Sequence, residues 1–167
     1  MKQGRLPGVQ FKIRISYGGS KVQGSRKIKR PFSPKKFLHL VFRSDLASKG
    51  FSMINNRAKI ELELYALAFK YEINLKEYTN AGNHLHLLVK APCRKHLQNF
   101  LKSFARRVSC LMVGPGKKFW TSLVYSRIVE WGRDVQNVSY YFIRNFLETE
   151  KQIPYSRIHP PPFMVLG

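Results

Sequence analysis

Leu97, Phe100, Leu101, Phe104, Val108 and Met112 recur at the spacing of one face of an α-helix, and this stripe predicts a helix over 94–112. Arg94, Lys95, Lys102, Arg106 and Arg107 fall largely off the stripe. A helix with one broad apolar face must lie on something, and the flanking sequence offers a sheet. Phe37-Leu38-His39-Leu40-Val41-Phe42-Arg43 reads as a buried-type strand, and residues 55–70 as a helix with Ile60, Leu64, Leu67 and Tyr71 inward. Residues 71–79 alternate, with Tyr71, Ile73, Leu75 and Glu77 assigned to one side. Asn80-Ala81-Gly82-Asn83 is a turn, and His84 to Val89 is the returning strand of a hairpin.

Gly114-Pro115-Gly116 ends the 94–112 helix. Phe119 to Trp131 reads as extended and broken near Ser126. Asp134 is expected to cap a last helix over 135–149, with Val135, Val138, Phe142 and Phe146 inward. The order strand, helix, strand, strand, helix, strand, helix predicts an α+β sandwich, an antiparallel sheet with helices packed on it.

Charge sets the class of partner. The chain has 30 Lys+Arg against 9 Asp+Glu, a formal net charge of +21, while 44% hydrophobic residues supply a core. Such a surplus is self-repelling without an anion, and nucleic acid is the commonest partner. Residues 1–36 hold eleven Lys+Arg, no acid and several Gly and Pro, so they read as a basic arm. Within it, Val9 to Ile15 alternates like an edge strand or a segment lying along a partner, and Arg26, Lys27, Lys29 and Arg30 suit phosphate contacts. The division is an arm over 1–36, a domain over 37–150 and a Pro-containing tail over 151–167. No apolar run approaches a membrane span and no signal-peptide pattern follows the N-terminus, so the expectation is a cytoplasmic, nucleoid-associated protein. Cys93 and Cys110 are too few for a disulfide framework.

Side chains alternate along a strand, so His84 and His86 project from one face, about 7 Å apart along the chain, and can converge on one metal ion. Two polar residues on an exposed sheet face would carry the same pattern. His84, His86, Cys93 and His96 form a second grouping with zinc-ligand chemistry, at a spacing that matches no common finger. On the last helix, Tyr141 and Asn145 are spaced i, i+4 and share a face. Tyr140 is rotated by about 100° and aligns with Arg144. His39 reads as a structural residue.

Together, Asn83-His84-Leu85-His86-Leu87-Leu88-Val89 and Tyr141-Phe142-Ile143-Arg144-Asn145 resemble the signatures of the single-tyrosine HUH transposases, which include the REP-associated tyrosine transposases and related insertion-sequence enzymes. Phe37 to Arg43 looks like the family's opening strand, and Phe119-Trp120-Thr121 through Tyr125-Ser126-Arg127 like its Trp-containing strand. The similarity covers roughly 37–149. Gly82 stands where the family commonly has proline, and Phe146 where the REP-associated branch usually has it. The resemblance implies a ferredoxin-like sandwich, metal ligation by His84, His86 and Asn145, and Tyr141 as nucleophile. It further implies single-stranded or hairpin DNA as substrate, nicked and rejoined through a 5′-phosphotyrosine link. Mixed nitrogen and oxygen ligands with open positions suit Mg²⁺ or Mn²⁺. Arg94, Lys95, Lys102, Arg106 and Arg107 would then serve as backbone contacts. Whether a homodimer forms, and whether Tyr141 acts in its own subunit or a partner's, is left open. A non-catalytic nucleic-acid-binding protein or regulator on the same fold is the alternative.

Overall fold

A computed structural model describes residues 16–19 and 29–155; Val9 to Ile15, Arg26, Lys27 and residues 156–167 lie outside the described residues. The elements are β1 (Ser16–Tyr17), β2 (Phe37–Arg43), a 3-10 turn (Leu46–Lys49), α1 (Arg57–Lys70), β3 (Asn74–Asn80), β4 (His84–Lys90), α2 (Arg94–Val113), β5 (Tyr125–Val129) and α3 (Arg133–Thr149). The five strands lie in the order β1-β5-β2-β4-β3, and every neighbouring pair is antiparallel. Leaving out the two-residue β1, the β-α-β-β-α-β chain path places its last, first, third and second strands side by side. That is the ferredoxin-like arrangement, and the expected α+β class is the observed one.

The period of two in β2 and β4 divides the molecule into layers. Leu38, Leu40 and Phe42 point to the same face as Leu85, Leu87 and Val89, and there they meet Ile60, Leu64 and Leu67 of α1 and the whole expected stripe of α2. Phe42 packs edge-on against Phe104, with ring centroids 5.1 Å apart, and Trp120 covers Phe42 while its Nε1 donates to Ala105 O at 2.8 Å. On the opposite face Leu88 and Val129 meet Val138 and Phe142 of α3. This second core is smaller and covers one end of the face.

Several local expectations are corrected. Ser126 is buried inside β5, paired with Leu40, and the chain is not in strand conformation from Phe119 to Val124. A bulge between Leu75 and Glu77 reverses the alternation of β3. Glu77 therefore joins Thr79 on the α3 side, where it accepts a hydrogen bond from Ser139, instead of sharing a face with Leu75. Helix α3 starts at Arg133 behind Gly132, and Asp134 does not cap it. Its carboxylate instead takes both ends of the Arg127 guanidinium, at 2.9 Å each, and the Glu130 N–H at 2.8 Å. Phe146 is 40% exposed, with the Arg57 guanidinium over its ring, and Asn145 takes the inward position.

Two stretches of the basic N-terminal region are part of the folded unit. Tyr17 pairs with Ser126, and the Arg30 guanidinium lies 4.7 Å from the Tyr17 ring centroid. Gly18 has φ +85°, and a Cβ there would meet Val124 O at 2.1 Å, so this close crossing needs glycine.

Phe104 is fully buried between two layers, whereas Phe69 is 90% exposed. Phe104→Ala is expected to lower the unfolding free energy by about 3–5 kcal/mol. Phe69→Ala should change it by less than ~0.5 kcal/mol. Urea titrations of both variants followed by circular dichroism check this, and equal losses would contradict the assigned core.

Candidate active site

The turn after β3 aims the first histidine. Asn80 donates through Nδ2 to Met53 O at 2.8 Å and accepts the Gly82 N–H at 3.0 Å. Gly82 itself has φ +85°, which proline, fixed near −65°, cannot adopt. This explains why glycine stands there. His84 then opens β4, and its Nδ1 is held by the Asn83 side chain. His86 follows on the same face, and the two ring centroids are 4.6 Å apart.

The neighbouring strand adds a third imidazole that the sequence reading assigned to structure. His39 of β2 stacks on His86 with centroids 5.3 Å apart, and its Nε2 lies 3.0 Å from His86 Nδ1. His39 shares its face with Val41 and Arg43, opposite Leu38, Leu40 and Phe42. That parity was the available signal, and the long apolar run hid it.

Tyr141 arrives from α3. Its ring stands edge-on to His86 at 5.2 Å and to His39 at 6.2 Å. Tyr140 is turned outward toward Arg144, which also pairs with Glu148 at 3.0 Å. His39, His84, His86 and Tyr141 line one cleft of about 940 Å³, together with Gly18, Gly19, Val41, Arg43, Tyr125 and the loop Thr121–Leu123. Of these, Gly18, Gly19, Arg43 and Tyr125 went unnoticed as site residues. Arg43 is placed by its cross-strand pairing with His84 and is held by Asp45 at 3.3 Å.

Asn145 is buried one turn beyond Tyr141. Its Nδ2 donates to Tyr141 O at 2.7 Å, and its side chain is not part of the cleft wall. The basic residues of α2 lie on the opposite layer of the sheet. Lys95, Lys102 and Arg106 are exposed there. Arg107 is paired with Glu63 at 2.8 Å, and Arg94 is turned inward onto Arg30 O and the Phe32 ring. None of the five lines the cleft, while Lys29 is exposed and Arg30 is partly buried against Tyr17. The second metal grouping is not assembled: Cys93 is exposed and His96 Nδ1 is within 2.9 Å of Tyr71 O, across the sheet from His84.

Burial governs the electrostatics. It pushes the His39 imidazole down to about 4, with Arg127 adding to the effect, and pushes His86 well below its ordinary value. His84 is lowered by burial and by the nearby Arg43 charge. All three rings are therefore neutral at pH 7. For Tyr141 burial raises the phenol, and the Asn145 side chain opposes that rise.

The two β4 imidazoles fit a divalent cation. Both are neutral donors, each has its Nδ1 engaged by a protein group, and His86 Nε2 is buried with no hydrogen-bond partner. Among the described residues no group of three or more His, Cys, Asp or Glu side chains is arranged to hold a metal.

No family model matches the sequence, and no curated protein matches it. Among solved structures, the chain is similar to one described as a "putative transposase" from Deinococcus radiodurans R1. The identity is 16% and the TM-score 0.43, over 72% of this chain and 97% of that one. No helix among the described residues is long and apolar enough to cross a membrane.

The neutral imidazoles predict a pH dependence of stability in the metal-free protein. Unfolded, His39 takes its proton near pH 6.5; folded, it resists protonation down to about 4. Between these values the unfolded chain binds the extra proton, so stability falls as pH drops through the window, by about 3 kcal/mol for this residue. Urea midpoints at pH 7, 5.5 and 4 in the presence of chelator should show the fall. His39→Gln, which cannot titrate, should shrink it, and an unchanged slope would contradict the buried neutral state.

Proposed function

We propose that the chain nicks and rejoins single-stranded DNA by transesterification, with Tyr141 as nucleophile and a divalent cation, Mg²⁺ or Mn²⁺, held by His84 and His86. The observation that carries this reading is the meeting of Tyr141 with His86 and His84 in one cleft, with Tyr140 outside it. The Tyr141 oxygen attacks the scissile phosphorus in line. The bond from phosphorus to the 3′ oxygen breaks, and the DNA is left as a 5′-phosphotyrosine ester and a free 3′-OH. Because the ester conserves the bond energy, a 3′-OH can later attack it and rejoin the strand. When bound, a divalent cation supplies polarisation of the phosphate and neutralises developing charge.

The protein side chains have separate duties in this reaction. Burial keeps His84 and His86 neutral and able to donate lone pairs. Asn145 holds the Tyr141 turn of the helix and favours the phenolate; ligation by its amide oxygen would complete the set implied by the HUH resemblance. Arg43, at the cleft wall beside His84, suits a phosphate oxygen, while Gly18 and Gly19 let backbone approach closely. Lys29, Lys95, Lys102 and Arg106 supply diffuse attraction for the remaining backbone. A hairpin beside the cleavage point would engage this more distant charge. A homodimer, in which Tyr141 serves either subunit, is compatible with the same chemistry.

Incubation with labelled single-stranded hairpin DNA and Mn²⁺, followed by a denaturing gel, tests the reading. Wild type and Tyr140→Phe should give a covalent protein–DNA band, and Tyr141→Phe none. His84→Ala or His86→Ala should abolish the band and change DNA affinity less than about threefold, because phosphate contacts by Lys and Arg dominate binding. Tight binding with no adduct under any condition would favour the alternative, a nucleic-acid-binding regulator.

The arm is tested separately. Removing residues 1–15 deletes Lys2, Arg5, Lys12 and Arg14. The slope of log affinity against log salt should fall by up to ~0.7 per lost contact. An unchanged slope would mean that these cations do not touch the DNA.

A further inference from the structure

The hydrogen bond between His39 and His86 has two tautomeric forms. Either His39 Nε2–H donates to His86 Nδ1, or His86 Nδ1–H donates to His39 Nε2. In the first form His86 carries its proton on Nε2, where it is buried with no acceptor. In the second form Nε2 presents a lone pair. An imidazole ligates a metal only through an unprotonated nitrogen, and the group on its other nitrogen decides which one that is. His84 is arranged in the same sense, its Nδ1 held by the Asn83 carboxamide.

We propose that His39 is a positioning residue: by accepting the His86 Nδ1–H it fixes the tautomer in which His86 Nε2 is unprotonated and able to ligate a metal. The proposal rests on the reading of His84 and His86 as ligands. Its geometric basis is independent of the metal. His39 sits opposite Leu88 on the strand beside His86, both rings are buried, and they stack at an interplanar angle of 28°. The contact is therefore held by the β2–β4 ladder as well as by its own hydrogen bond. The edges of Tyr125 and Tyr141 and the tilted ring of Phe142 close around His39, which restricts its rotation. A residue that merely filled space here could be apolar. Only an acceptor at the Nε2 position can hold the His86 proton on Nδ1.

The test begins on the metal-free full chain. Long-range ¹H–¹⁵N spectra of the histidine rings read the tautomer directly, and His86 should be in the Nδ1–H form. His39→Leu should move His86 toward the Nε2–H form and weaken Mn²⁺ binding by about 10–100-fold, read from the electron paramagnetic resonance of the free ion. In His39→Gln, the Oε1 atom can reach the place of Nε2 and accept the same proton. This variant should keep the Nδ1–H form and bind Mn²⁺ within about threefold of wild type. A wild-type His86 in the Nε2–H form would overturn the proposal. So would a folded His39→Leu with unchanged Mn²⁺ affinity, or a His39→Gln as weak as the leucine variant. If His39→Leu does not fold, the wild-type tautomer and the glutamine variant decide. Wild type that binds no Mn²⁺ and forms no adduct would instead defeat the metal reading itself, a result distinct from a wrong tautomer.

Discussion

The two-residue period of β2 and β4 is the constraint on which the rest of the molecule depends. It sends Leu38, Leu40, Phe42, Leu85, Leu87 and Val89 into the large core and His39, His84 and His86 to the opposite face. A one-residue slip of either strand would exchange the two sets, burying imidazoles under α1 and α2 and exposing leucines in the cleft. The apolar face thus specifies the register, and the register specifies the site. Large buried side chains on one side of β2 provide the rigidity that holds the polar cluster on the other.

The second constraint is how α3 is tied down, since its apolar contact with the sheet is small. Its start is fixed by the Asp134–Arg127 pair, and its middle by Ser139 on Glu77 and by Thr79, which donates to Phe142 O at 3.3 Å. The bulge in β3 makes the middle contacts available, because without it Glu77 would face the other core. A local irregularity in one edge strand therefore helps to set the position of Tyr141. Arg127 also faces His39 directly across the β2–β5 ladder, so the charge pair that anchors α3 borders the imidazole cluster.

Local patterns were readable where a single element's own periodicity decides the outcome. The α2 stripe, the hairpin turn and the shared face of His84 and His86 all belong to this kind. Pairwise facts between distant segments were not. Arg94 looks like a surface cation of a helix until Phe32 and Arg30 are placed against it. Phe146 looks inward by helical phase, yet its ring stays half-exposed under the Arg57 guanidinium from the start of α1. His39 lies in a run of strand residues so apolar that its partner on β4 is invisible without the pairing register. The bulge at Leu75 and Glu77 leaves no periodic trace at all.

Desolvation acts on the cleft in two opposite ways. Lowering the imidazole pKa values keeps lone pairs available on His84 and His86, which a cation site needs. The same burial raises the Tyr141 phenol, which makes it a weaker nucleophile when the cleft is empty. Any charge that enters changes both terms together. A cation at the imidazoles would favour the phenolate electrostatically, whereas a bare phosphate would disfavour it. On the proposed reading, a cation at His84 and His86 would therefore offset the burial that holds the Tyr141 phenol protonated in the empty cleft, and it would also have to outweigh the negative charge that the DNA phosphate brings.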